Sequence, residues 1–397
     1  MHYAVAVLLN RSGLLAQLFT DAYCGDGSWL SGVVRPIPRP LLSGALRRLE
    51  QRRADLPAHK VTALNLLGFR YAWALRRPAS SRTYVTDMHL KYNRELLEGV
   101  ARSKTLARST AVYGFCGAAL ELLEAAKVHG QVCILEQMIA PVIERAPLLD
   151  GESQRWPGWQ VTDVMGWDEV VWTRREALEW QLADRIVAPS EYVRSTLVSA
   201  GVSSDKITVM PYAVPLDRYG GSERSFAGNR PLRVLFVGTV GLRKGVPYLL
   251  EALRELGPGA VEARLIGLVT LDPSKLEDFG EVATFTGMVS RHEVAEHYRW
   301  ADLFVLPSLC EGSATVTYEA RACGLPVVAT PNAGAWIADG EDGLVVPARD
   351  AHAIADVLRQ FLKRPQLLPA MSRTALANAS NFSWDQYQRR LVSLVTG

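Results

Sequence analysis

"PSLCEGSATVTYEARACGLPVVATPNAG" (Pro307–Gly334) places two carboxylates, Glu311 and Glu319, eight positions apart among mostly small and apolar residues. "LFVLPS" before it is a short apolar run and "ATVTYEARAC" inside it has helical spacing; "PVVAT" then returns to a β-like run. Strand, turn, helix and strand in this order predict one repeat of a parallel sheet wrapped by helices.

The same alternation extends to both sides. "RVLFVGT", "ARLIGL", "ATFTG" and "LVVP" read as strands, while "VPYLLEALREL" and "RHEVAEHYRWA" read as amphipathic helices. Residues 232–382 therefore read as a doubly wound α/β domain. In the first half "YAVAVLL", "AVYGF", "QVCILEQ" and "RIVAPS" are expected strands of a second such sheet, with helices such as "DEVVWTRREALEWQLA" between them. "PYAVPLDRYGGSERSFAGNRP" (Pro211–Pro231) carries no period and many turn residues, so the linker is placed at 213–231. The first domain is then 1–212, and the tail "DQYQRRLVSLV" reads as a last amphipathic helix. At 397 residues, two domains are the natural division.

In an open α/β sheet, ligands bind beyond the carboxyl ends of strands. Glu311 and Gly312 fall in such a loop, and Ser313, Ala314 and Thr315 form a helix start whose free N–H groups attract phosphate. Glu319 follows about one turn on, in reach of hydroxyls on the same ligand. A second strand-to-helix turn, "VGTVGLRKG" (Val237–Gly245), offers Gly238, Thr239 and Gly241 for close backbone approach, and Arg243 and Lys244 as fixed charge for a diphosphate. It has neither Walker A nor G-x-G-x-x-G spacing. Anion-binding turns flanked by hydroxyl-accepting carboxylates describe a nucleotide-sugar site. Near the N-terminus, "NRSGLLAQ" follows the expected first strand, so Gly13 is a candidate donor-side backbone contact or a simple turn.

The chain resembles the retaining glycosyltransferase family 4. "PSLCEGSATVTYEARACGLPVVAT" is similar to the family's E-x7-E element, and "GTVGLRKG" to its glycine-rich turn ending in K-G. "WADLFVLPS", "NAGAWIADGEDGLVVP" and "VAPSEYVRSTLVSAGVSSDKITVMPYAV" follow the pattern too. Coverage is strong from about Arg185 onward and weak before it. The resemblance implies a GT-B fold, two Rossmann-like domains facing a central cleft, with the first domain taking the acceptor and the second the donor. It implies that Lys244 binds the donor diphosphate, Glu311 and the following amides bind the donor sugar, and Glu319 binds the ribose. It also implies that the last helix, within 383–397, packs back on the first domain. Thr239 stands where many members carry arginine, and Phe115 where many carry a histidine near the donor sugar.

The expected activity is metal-independent transfer of a sugar, with retention, from a UDP-, GDP- or ADP-linked donor to a glycan, lipid-linked or small-molecule acceptor. Lys244, Glu311 and Arg243 are the expected catalytic groups, with no cofactor beyond the nucleotide sugar. A nucleotide-sugar epimerase of the same fold and a non-catalytic nucleotide-sugar binding protein are the alternatives.

Composition narrows the setting. Net charge is +3, but residues 35–108 hold sixteen Lys and Arg against five Asp and Glu, a local +11. That skew points to an anionic membrane surface or charged acceptor, or to a solvated face with distant counter-charges. No nucleic-acid module accompanies it. Five cysteines without C-x-x-C spacing suit a reducing compartment, and no apolar run is long enough to span a bilayer. A cytoplasmic protein, peripheral on the inner membrane face, is therefore expected, and the sequons at Asn10, Asn378 and Asn381 are read as chance matches. "HEVAEH" misses zincin spacing, "DGEDG" reads as a turn, and Asp87-x-His89 is a weak acid-base candidate. Trp156, Trp159, Trp167, Trp172 and Trp180 are read mostly as core.

Overall fold

The computed structural model describes residues 3–397 apart from 27, 35, 38–45, 47–48, 75–81, 102 and 161–167. The chain begins with α1 (Ala4–Arg11), β1 (Leu18–Thr20), α2 (Trp29–Val34), β2 (Val61–Ala63), α3 (Asn65–Ala74) and α4 (Arg82–Ala101). There follow β3 (Ala111–Phe115), α5 (Leu120–Val128), β4 (Val132–Glu136), α6 (Val142–Arg155), α7 (Glu169–Leu182), β5 (Arg185–Ala188), α8 (Glu191–Ser199) and β6 (Ile207–Val209). The second half runs β7 (Leu232–Val237), α9 (Val246–Leu256), β8 (Val261–Ile266), α10 (Pro273–Glu277), β9 (Ala283–Gly287) and α11 (Arg291–Trp300). It ends with β10 (Leu303–Leu306), α12 (Thr315–Ala322), β11 (Val327–Ala329), β12 (Gly343–Val345), α13 (Ala351–Lys363), α14 (Leu367–Ala379) and α15 (Trp384–Thr396).

Two compact units emerge: residues 1–136, 166–186 and 388–397 form the first, and residues 137–165 and 187–387 the second. In the first, β1 and β2 pair in parallel, as do β3 and β4. The C-terminal helix is tied there by Gln388, whose side-chain amide donates to Ser12 Oγ at 2.8 Å, and by Arg185, which donates to the Leu394 carbonyl.

The opening run is a correction. "YAVAVLL" is helical: Val7 N–H donates to Tyr3 O (2.9 Å) and Ser12 N–H to Leu8 O (3.1 Å). A short apolar run looks the same to a buried strand and a buried helix; here Ala6, Leu8 and Leu9 are buried together on one side of a helix. The correction carries to Gly13, which opens no helix. It follows the end of α1 at φ +73°, with its N–H donating to Asn10 O (3.0 Å). A donor spent on the α1 carbonyls is not presented to a ligand.

The second unit is built on a six-stranded parallel sheet of order β12-β11-β10-β7-β8-β9. Its strands β10 and β11 are apolar throughout, as expected of strands covered on both faces. Leu303, Phe304, Val305 and Leu306 of β10 are fully buried, as are Leu235 and Phe236 of β7. Each such side chain contributes about 1.5–3 kcal/mol of burial free energy. On α13 the buried set Ile354, Ala355, Leu358 and Phe361 follows the helical period, and Asp350 caps the helix by accepting from Ala353 N–H at 2.8 Å.

Residues 213–231 are irregular apart from one short 3-10 turn at Leu216–Arg218, yet they lie against the second unit. Tyr219 and Phe226 are buried in its core, and the Arg224 guanidinium donates to the Cys323 carbonyl at 2.7 Å. The "DGEDG" turn is held by Asp342, which is buried and accepts from Ala338 N–H (2.9 Å) and the Asn378 amide (2.8 Å). Trp172 and Trp180 are core residues, whereas Trp167 lies outside the described residues. No disulfide joins the cysteines.

Candidate active site

The strand order of the second unit locates its ligand crevice. From β7 the chain proceeds outward through β8 and β9, then returns to the other side of β7 to lay down β10, β11 and β12. The order therefore reverses between β7 and β10, and the loops leaving their carboxyl ends diverge around a crevice. Those loops are residues 238–245 and 307–314, the two stretches singled out in the sequence.

They are laced together by backbone contacts. Leu309 N–H donates to Arg243 O at 2.9 Å. Gly245 adopts φ +67°, and a Cβ there would collide with the Pro307 carbonyl oxygen, so both conformation and space require glycine. A Cβ on Gly238 would sit 3.4 Å from Lys244 Cε, and one on Gly241 would sit 2.6 Å from Thr270 Oγ1. Thr239 lies between these two glycines, half-buried.

Charge is concentrated here. Leu242–Lys244 form a 3-10 turn that directs both cations at Glu311. Lys244 Nζ lies 2.7 Å from Glu311 Oε1, and Arg243 Nη1 donates to the same oxygen as well as to Cys310 O at 2.9 Å. Lys244 is 8% exposed, and burial pulls its ammonium below the ordinary value against the opposing pull of Glu311. Arg145 on α6 adds its field: burial pushes the Cys310 thiol up to about 11, with Arg145 foremost among the groups opposing it. Two cations thus converge on one carboxylate, a local surplus of positive charge.

The helix start beyond Glu311 is closely packed. A Cβ on Gly312 would collide with Met138 O, and Gly312 O accepts from the Ser190 hydroxyl at 2.5 Å. The Ser313 hydroxyl is spent internally, 2.5 Å from the Tyr318 hydroxyl. Ala314 N–H donates to Ala333 O at 3.2 Å, and Ala314 supplies no side-chain cap to α12, which begins at Thr315. The first-turn amides of an uncapped helix are ready donors for an anion.

Glu319, about 6 Å further along the axis of α12, is held by two phenols. The Tyr298 hydroxyl donates to Glu319 Oε2 at 3.0 Å, and Tyr219 hydrogen-bonds the same carboxylate. Burial, then the Glu319 charge, raises both phenols above their ordinary value. Sequence reading missed Tyr298, Tyr219, Ser190 and Arg145. Tyr298 lies in a helix whose spacing marks it only as core, and the other three are far from the motifs along the chain.

Gly13 belongs to the first unit, whereas every other expected site residue lies in the second. In the first unit Asp87 is exposed, while His89 Nδ1 pairs at 2.8 Å with the Tyr71 hydroxyl, so Asp87 and His89 form no dyad. His89 also packs edge-on against Trp172. Among the described residues no group of His, Cys, Asp and Glu has a metal-binding arrangement.

Residues 231–364 match the family described as "Glycosyl transferases group 1". The chain is similar to a D-inositol 3-phosphate glycosyltransferase of Paenarthrobacter aurescens (strain TC1), 33% identical over 237 residues, covering 54% of this chain and 58% of the relative. The chain therefore spans about half the length of the curated relatives it matches. Among solved structures, Anabaena Alr3699/HepE in complex with UDP superposes with a TM-score of 0.63 at 16% identity, over 96% of this chain and 99% of that one. Sucrose-phosphate synthase from Thermosynechococcus elongatus gives 0.61 at 19% identity, over 78% of each chain. The likeness to these structures is one of fold. Residues 231–364 thus match the group 1 glycosyltransferases, in a chain with the fold of GT-B glycosyltransferases.

Proposed function

We propose that this chain transfers a sugar, with retention, from a nucleotide-diphosphate donor bound in the crevice between β7 and β10. The observation that carries the reading is the convergence of Lys244 and Arg243 on one oxygen of Glu311 at the switch point of the sheet. Two cations fixed at a crevice suit a diphosphate, and Glu311 is the anion that partners them when no donor is bound.

In this reading the donor diphosphate takes over Lys244 and Arg243 and meets the first-turn amides of α12. Glu311, released from the cations, accepts hydroxyls of the donor sugar, while Glu319 accepts those of the ribose. Negative charge grows on the diphosphate as the glycosidic bond breaks, so preorganised cations and N–H groups lower the barrier most when aimed there. These side chains supply the charge that a divalent metal provides elsewhere. The departing phosphate oxygen accepts the proton of the acceptor hydroxyl, which then attacks the face the leaving group vacates, and configuration is retained.

The name shared by the relatives makes polyol phosphates the first acceptors to try, and the UDP in the Anabaena structure makes UDP-sugars the first donors. The test is turnover of UDP-, GDP- and ADP-sugars with a polyol phosphate, and assignment of the product's anomeric configuration by NMR. Product of retained configuration, with turnover reduced on the order of 10²-fold in Lys244→Ala, supports the reading. Inverted product, or unchanged turnover in the variant, contradicts it.

A further inference from the structure

Ser190 stands immediately before α8 in extended backbone and is 1% exposed. Its hydroxyl serves two elements at once. It accepts from Val193 N–H at 3.3 Å, the ordinary work of a residue that caps a helix, and it donates to Gly312 O at 2.5 Å. A cap needs only an acceptor, so the hydroxyl proton is left over, and it is aimed at the loop between β10 and α12 that carries Glu311.

The Gly312 carbonyl is closely surrounded where it meets Ser190. Gly334, at φ +60°, leaves it room: a Cβ there would collide with Gly312 O and lie 2.8 Å from Ser190 Oγ. On Gly312 itself a Cβ would collide with Met138 O and lie 3.3 Å from Pro189 Cγ. All these residues belong to the second unit, and together they fix the peptide plane between Gly312 and Ser313. In a trans peptide the carbonyl and the following N–H point in opposite directions. With its carbonyl turned to Ser190, this peptide turns Ser313 N–H away from Ser190 and Gly334. Ser313 is 8% exposed and its hydroxyl pairs with that of Tyr318, yet among the described residues no acceptor meets its N–H. A largely buried amide without a partner costs free energy until an acceptor arrives.

From this geometry we infer that Ser190 is a positioning residue of the donor site: through the Gly312 carbonyl it orients the Gly312–Ser313 peptide so that Ser313 N–H meets the donor phosphate. The inference rests on the reading of the crevice as a nucleotide-diphosphate site. Ser190 does not touch the donor, because both bonds of its hydroxyl are made inside the protein. A peptide free to turn would have to be ordered when the donor binds; the Ser190 hydroxyl orders it on folding, so the amide is preorganised. Lys244 and Arg243 supply charge to the diphosphate, whereas this N–H supplies direction.

The test is calorimetric titration of UDP, GDP and ADP into the unaltered chain, Ser190→Ala and Ser190→Gly, with uridine, guanosine and adenosine titrated in competition. Alanine removes both bonds and should lower the melting temperature. Glycine is a fair helix cap, so it keeps most of the stability while losing the same hydroxyl, and it carries the test where alanine unfolds the unit. The diphosphate that binds the unaltered chain should bind both variants about fivefold or more weakly, while its nucleoside binds all three proteins equally. Asp350→Ala removes the cap of α13 in the same unit and should leave diphosphate affinity unchanged. Undiminished diphosphate affinity in Ser190→Gly overturns the inference and leaves the crevice reading intact. So does a parallel fall of diphosphate and nucleoside, or an equal fall in Asp350→Ala, since either would make the role of Ser190 purely structural. Failure of all three diphosphates to bind the unaltered chain overturns the crevice reading and the inference with it.

Discussion

Lys244 Nζ lies 2.7 Å from Glu311 Oε1, and Arg243 donates to that same oxygen. One carboxylate oxygen therefore holds two cations at the place that the proposed reading gives to the donor diphosphate. The proposed cycle then begins with an exchange of anions in which Glu311 yields its partners to the diphosphate.

That exchange makes Glu311→Gln informative. Without ligand the variant leaves Lys244 and Arg243 without their carboxylate and should lose about 1–3 kcal/mol of stability. A nucleoside diphosphate should restore more stability to the variant than to the unaltered chain, because no internal anion competes. Thermal melting with and without UDP, GDP and ADP measures both effects. A smaller ligand-induced shift in the variant would speak against the exchange.

Tyr298→Phe removes one donor from Glu319 without changing the shape of the core. The expected cost is about 1 kcal/mol of stability. Nucleoside diphosphate affinity should weaken several-fold while pyrophosphate affinity stays the same, since Glu319 is assigned to the ribose. Calorimetric titration of the two ligands distinguishes this from a purely structural role, in which both affinities would move together.

Gly245→Ala combines a left-handed backbone with a collision at Pro307 O, so it should destabilise the second unit by upwards of about 2 kcal/mol. Denaturant unfolding measures the loss. Gly257→Ala serves as comparison: Gly257 also has positive φ, but a Cβ there meets nothing within 4 Å. Equal losses would mean that the approach to Pro307 carries no weight.

Glu179 gives a pH dependence of known sign. It is buried and accepts from Gly117 N–H (2.7 Å), Ala119 N–H (3.0 Å) and Leu120 N–H (3.0 Å) at the start of α5. Burial outweighs these amides and Arg175 and pushes its carboxyl from 4.5 up to about 7. The folded chain thus holds this proton more tightly than the unfolded one. Its contribution is complete below pH 4.5 and is lost as pH rises through about 7. The difference in stability between the unaltered chain and Glu179→Gln should therefore change by on the order of 3 kcal/mol across that window. A difference that is flat with pH would contradict the raised value.

The second unit was legible because its central strands, β10 and β11 above all, are buried on both faces and its helices on one, so burial writes itself into the sequence as alternating runs. "VPYLLEALREL" coincides with α9 and "ATFTG" with β9. The loop glycines and cations were legible for a related reason, since a tight strand-to-helix turn needs glycine where the backbone is crowded. What could not be read depends on distant partners. Nothing in "HEVAEHYRW" distinguishes Tyr298, the partner of Glu319, from an ordinary core tyrosine. The opening run failed for want of length: seven apolar residues fit a strand or two turns of helix equally well, and the choice was made by what surrounds Ala6, Leu8 and Leu9.

The most direct test of the central claim is calorimetric titration of UDP, GDP and ADP into the unaltered chain and into Lys244→Ala. The account predicts that one of the three binds the unaltered chain and that its affinity falls at least about tenfold in the variant. Failure of all three to bind, or equal affinity in both proteins, would contradict the assignment of the crevice between β7 and β10 to a nucleotide diphosphate.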